Sequence, residues 1–366
     1  MARKQFLSFL LIFSLLFSCA SALAEADDDD DWDDNVDDAW EMEHSLRSGD
    51  YAYALLDDGT VEITSYGGDD AEIVIPDTLD GKPVTAIGER AFYYNLSLTS
   101  VTIPDSVTRI SQKAFSCCFQ LTSITLPSGL TAIESGTFDL CKSLTTIDIP
   151  DSVAAIADDA FIGCKALQSF TLSPNHPYFF LADGALCRTA DSTLLFYPNA
   201  REPRTYRIPD GIAAISAYAF YDCDLLESVV IPNSITRIPE RAFYGCSALA
   251  SVSLPDSLTE IGIAAFSFCA ALTDIRIPAA ITEISNHMFS GCTSLATLEI
   301  PDSVTKIGDY AFWGCTSLTS IALPNSVTII GNGAFSYCDA LTLTVTPDSY
   351  AAEYAQANGI SYTCVD

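Results

Sequence analysis

The chain holds 366 residues with a formal net charge of −31, and its 13 cysteines far outnumber its 3 histidines. Counterion release from a nucleic acid, or attachment to an anionic membrane surface, needs a basic stripe, and this composition has none. So few histidines also leave little material for acid–base catalysis.

At the N-terminus, Arg3 and Lys4 precede an apolar run from Phe6 to Phe17 and a small-residue stretch, the layout of a secretory signal spanning residues 1–24. Ala22-Leu23-Ala24 satisfies the small-x-small rule for cleavage after Ala24. A lipobox, Leu16-Phe17-Ser18-Cys19 with Cys19 acylated, is the open alternative. No stretch reaches the length of a membrane-spanning helix.

Residues 25–50 read as an acidic, disordered spacer, because a run such as Asp27 to Asp31 repels itself and does not pack. It lacks the glycine turn of a calcium loop, so no metal is expected there. Loss of Arg3 and Lys4 takes the charge to −33, and removing the 12 acids between 25 and 43 as well leaves −21 for residues 44–366. The remainder is therefore acidic in its own right.

Residues 51–366 carry a 23-residue period. Phenylalanines stand at 92, 115, 138 and 161, then at 220, 243, 266, 289, 312 and 335, and prolines keep the same interval from 104 to 150 and from 209 to 347. A fixed period in this range denotes a solenoid, whose units bury apolar faces only against their neighbours. Within a unit, Leu249 to Leu254 ends in the alternation of a short strand, and Pro255 stops it for want of a ladder donor. A second extended piece follows (Val304 to Ile307 in a later unit), and an Ala-Phe turn returns the chain. Glycine stands at the second position after Phe in several units, as at Gly163 and Gly245. The expected fold is a β-rich solenoid with short irregular convex segments, its ten Phe-bearing turns stacking to about 50 Å at ~4.8 Å per strand.

Three irregular parts interrupt the beat. An atypical opening repeat covers 51–91; residues 165–208 form a hairpin-like insertion; and 347–366 close the stack with a short helix between Ser349 and Asn358. Atypical ends are needed because a solenoid otherwise exposes an apolar cross-section. The insertion is expected to continue the stack, since no flexible linker flanks it.

The unit L-x-x-I-x-I-P-x-S-V-T-x-I-x-x-x-A-F-x-x-C resembles the BspA-like leucine-rich repeats of bacterial and some protozoan surface proteins. Tyr53 to Tyr66 with Asp80-Gly81-Lys82-Pro83, the insertion and the Pro347 to Tyr362 ending resemble that family's first repeat, longer hairpin-bearing unit and terminal cap. The resemblance implies surface recognition, such as adhesion to a protein or glycan of a host or neighbouring cell. A fold alone does not name a ligand.

Nine cysteines share one column: Cys118, Cys141, Cys164, Cys223, Cys246, Cys269, Cys292, Cys315 and Cys338, with Asn95 in the first turn. A residue type shared by Asn and Cys suggests a position facing a backbone carbonyl inside each turn. Parallel Cβ vectors disfavour disulfides along the column despite a workable Cα spacing. Zinc is disfavoured because stacked thiols do not converge tetrahedrally. Cys117, at a position often held by Gly, is expected to be partly exposed.

No motif assembles a catalytic triad, and no cofactor or phosphate loop is expected. His287 reads as an exposed variant in a column of Arg, Lys and Tyr, and His176 as a turn residue. The outward column Thr102, Thr125, Asp148, Thr171, Arg207, Val230, Ser253, Arg276, Glu299, Ala322 offers Arg207, Arg276 and Glu299 as ligand contacts. A neighbouring column of threonines (Thr108, Thr131, Thr236, Thr259, Thr282, Thr305, Thr328) reads as strand propensity. In the insertion, Tyr178, Phe179 and Phe180 are further candidates, weighed against filling the insertion's own core. The expectation is a non-enzymatic, exported recognition protein for an extracellular protein or glycan; a passive envelope element and an unrecognised hydrolase using His176 or His287 are the alternatives.

Overall fold

The computed structural model describes residues 46–365, and those from Arg47 onward belong to one compact unit that carries the fold. The expected signal, Cys19 and most of the acidic spacer lie outside the described residues. The spacer's last residues depart from expectation: Leu46–Ser48 is a strand, and the Ser48 hydroxyl donates to Asp80 at 2.8 Å.

The chain winds into a β-solenoid of about 13 turns. Most regular turns begin with a three-residue strand such as Ser123–Thr125 or Ser251–Ser253, whose middle residue points into the core while its flanks face water. The proline that follows lends its carbonyl to an amide three residues on, as from Ile235 to Pro232 at 3.1 Å. The second extended piece is shorter than expected, two residues such as Lys306–Ile307. Strands pair in parallel with their counterparts 23 residues away, Ser228 with Ser251 and Glu283 with Lys306.

The Phe corner is a third hydrogen-bonded ladder. Phe243 N–H donates to Ala265 O at 2.9 Å, and Gly245 N–H to Ser267 O at 2.8 Å. Residues two after the Phe, and those two before it in every such turn but that of Asp159, take left-handed backbone at the corner: Arg241 φ 52°, His287 φ 55°, Phe268 φ 59°, Tyr337 φ 61°. An L-residue there costs about 1 kcal/mol or more, and the bonds gained at the corner offset it. The Gly positions seen in the sequence are thus the unstrained members of a column that is left-handed throughout.

Inside the corner the phenylalanines stack nearly parallel, with ring centroids 4.7–6.0 Å apart and planes within 17°. Tyr66 closes one end at 5.4 Å from Phe92, and Tyr354 of the terminal helix Tyr350–Ala357 closes the other at 6.3 Å from Phe335. Ser349 caps that helix by accepting from Ala352 N–H.

The insertion forms an antiparallel meander, Phe179–Ala182, Ala185–Arg188 and Thr193–Phe196, whose last strand rejoins the stack beside Ala214–Ile215. Its two faces seal different cores. Phe179, Leu186, Leu195 and Phe196 pack with the preceding turns, whereas Ala182, Ala185, Cys187 and Leu194 pack with the following ones. Tyr197 then takes the place of the missing repeat phenylalanine, stacking on Phe220 at 5.3 Å.

A polar groove across the strand face

Arg207, on the outward flank of the strand Thr205–Arg207, and Arg276, at the matching position three turns later, stand on one face. Between them lies a groove of about 500 Å3 lined by Asn233, Ser234, Ser253 and two carboxylates. Asp210 holds Arg207 at 3.4 Å, and Asp256 holds Arg276 at 2.7 Å. All four side chains are more than 60% exposed, so these pairs contribute little to stability. Each guanidinium has donors in addition to the one its Asp engages. The groove thus offers donors, carboxylate acceptors and Asn and Ser groups at once, a surface able to bind hydroxyl- or charge-bearing ligands.

The two aspartates were not singled out in the sequence. Their signal was the residue after each repeat proline, polar in most units, which the turn brings beside the outward strand column. Glu299 lies one turn beyond Arg276 on an exposed strand flank, outside the groove lining.

The insertion aromatics do not form one surface. Phe179 is 2% exposed and belongs to the preceding core, so it is corrected from candidate contact to core residue. Phe180, half-buried, packs on the opposite core, and only Tyr178 is open to solvent. Alternation along a strand buried on both sides sends neighbours to opposite cores.

His176 sits in a turn, buried, with Nε2 3.0 Å from Pro150 O and Nδ1 accepting from the Tyr178 and Phe179 amides. Both ring nitrogens are thereby engaged by backbone. His287 is half-buried rather than exposed, stacked on Tyr310 at 5.1 Å. Cys117 is buried, not partly exposed, and its Sγ accepts from the Ser116 hydroxyl at 3.7 Å.

The cysteine column also differs in its partner. Each thiol donates to the carbonyl of the phenylalanine one turn earlier, Cys246 to Phe220 at 3.0 Å and Cys315 to Phe289 at 3.1 Å. Cys223 uses Tyr197 instead, at 3.7 Å. The acceptor is between turns, not inside one, because the Phe corner steps each Cys onto its predecessor. Asn95, at the same position in the first Phe-bearing turn, instead accepts from Ser97 and Leu98 N–H at 3.1 and 3.0 Å. Burial pushes Cys118 and Cys292 up to about 12.

With this geometry in hand, comparison with known proteins is decisive for family. The profile of the BspA type leucine rich repeat region matches in six copies over residues 81–181 and 213–342. The chain belongs to the BspA-type leucine-rich repeat family. A leucine rich cell surface protein of Faecalibacterium prausnitzii is 31% identical, over 87% of this chain and 97% of its own, with a TM-score of 0.51. A leucine-rich repeat protein of Eubacterium ventriosum shares 24% identity over 79% of this chain and 93% of its own, TM-score 0.63. The pneumococcal vaccine antigen PcpA shares the fold at 17% identity, over 88% of this chain and 98% of its own, TM-score 0.57. No curated protein matches the chain. Among the described residues, no helix is long and apolar enough to cross a membrane, and no cluster of His, Cys, Asp or Glu is arranged to hold a metal.

Proposed function

We propose that this BspA-type protein is exported and displayed at a cell surface, where it recognises an extracellular protein or glycan without catalysis. The observation that carries the reading is the groove, in which two arginines of a strongly acidic chain converge with carboxylates and neutral polar groups. The leader of residues 1–24 and the cell-surface description of the Faecalibacterium relative support the location. Residues 25–45 would space the solenoid from the envelope.

The test is retention of the purified mature protein on cells and on panels of immobilised glycans and extracellular proteins. Arg207→Ala combined with Arg276→Ala is expected to weaken retention at least about tenfold, near 1.4 kcal/mol. Both side chains are exposed, so the variant keeps its fold. Retention unaffected by that pair and by Tyr178→Ala would favour the passive envelope element. Intact mass of the mature protein decides the anchor: a chain starting at Glu25 is freely secreted, and diacylglycerol on Cys19 makes it a tethered protein.

A further inference from the structure

Neighbouring turns are held by two strand ladders and the Phe corner. At most junctions where one ladder lapses, the other persists; after Ala214–Ile215, for example, Pro239 lacks the N–H that its counterparts donate, yet the Thr205–Arg207 and Ser228–Val230 strands stay paired. Between the turns of residues 246–268 and 269–291, both ladders lapse together. Ser251–Ser253 pairs only backward, residues 274–277 form no strand, and Glu260–Ile261 does not pair with Glu283–Ile284.

One side-chain rung and one backbone rung are missing at the same place, although the Ser285 hydroxyl still donates to Ile261 O across it. Ser257 donates to Ile235 O at 3.1 Å and Ser303 to Ile281 O at 2.6 Å, but their column-mate at the seam is Ala280, which has no hydroxyl to offer Leu258 O. Thr259 and Thr305 donate backbone N–H to the threonine carbonyl one turn back at 2.9 Å; among the described residues Thr282 does not. The Phe corner holds, with Phe266 N–H to Met288 O at 3.1 Å and Phe268 N–H to Ser290 O at 2.7 Å. Grooves of about 500 and 450 Å3 lie on the two open sides.

We propose that this seam is a joint, hinged on the Phe corner, at which the two parts of the solenoid open and close. The exposed Arg276–Asp256 pair crosses the seam at 2.7 Å and yields readily to water. Arg207 and Arg276 stand on opposite sides, so the joint sets the span of the recognition groove. That consequence rests on the proposed recognition; the joint itself does not.

Amide hydrogen exchange on the full mature chain tests it. The Thr282 and Ser285 amides are expected to exchange on the order of tenfold faster than Thr259 and Gly262 one turn earlier, which are bonded across their junction. Ala280→Ser, the residue used by neighbouring units, is expected to slow Thr282 and Ser285, to which its hydroxyl does not bond, so slowing there reports closure of the whole seam. Equal exchange at the two junctions, or an Ala280→Ser variant that leaves those amides unchanged, overturns the joint. Loss of groove binding without change in exchange would strike only the recognition reading.

Discussion

The thiol column shows how a single position is shaped by its neighbours one turn away. Burial raises the Cys118, Cys164, Cys292 and Cys338 thiols, Cys338 to about 11 even beside the terminal cap, so almost none of these is thiolate at neutral pH. Among the 12 described cysteines only Cys364 is exposed. Alkylation of the folded protein is therefore expected to label Cys364 alone among them, and denaturation without reductant to release the rest. Thiols that react only after reduction would mean turn-to-turn disulfides. Asp139 makes the opposite kind of site. Desolvation, then the nearby Asp159 carboxylate, pushes its acid up to about 7. A raised carboxyl costs no stability below its unfolded value near 3.9 and progressively more as pH rises from there to about 7. Asp139→Asn is expected to stabilise the fold at pH 8 by about 1–2 kcal/mol, allowing for partial solvent screening, and to change little at pH 4. Urea titrations at the two pH values measure this.

The insertion strand Thr193–Phe196 is buried along its whole length. Leu194 faces the following core and Leu195 the preceding one. Leu195→Ala and Leu194→Ala should each cost about 2–5 kcal/mol, but exchange protection should fall before the insertion in the first and after it in the second. Identical protection losses would contradict the two-faced packing. The hairpin was legible within residues 165–208 because its polar turn at Asp183-Gly184 separates apolar runs. Its division of labour was not, since an all-buried strand shows no alternation from which to choose a face.

At the scale of the molecule, the insertion divides one stack into two hydrophobic cores, one ending with Phe196 and the other containing Tyr197 onward. Repeat arrays lose strict two-state behaviour when an interface between neighbours weakens. Calorimetry is expected to give two overlapping transitions, with Leu144→Ala lowering one and Leu318→Ala the other. A single transition that both variants shift equally would mean the cores unfold as one.

The sequence alone determined the solenoid, the strand before most repeat prolines and the helix that closes the stack, because these depend on the 23-residue periodicity, on a missing N–H and on local capping. It also placed Arg207 and Arg276 on an outward face. Only the tertiary structure decided what each turn contributes to the next: the left-handed corners at Arg241 and Phe268, the carbonyl one turn back that each cysteine reaches, the aspartates that complete the groove, and the seam at Ala280. Those features are interactions between residues about 20 to 26 positions apart, and a residue's type does not state its partner until stacking sets the register.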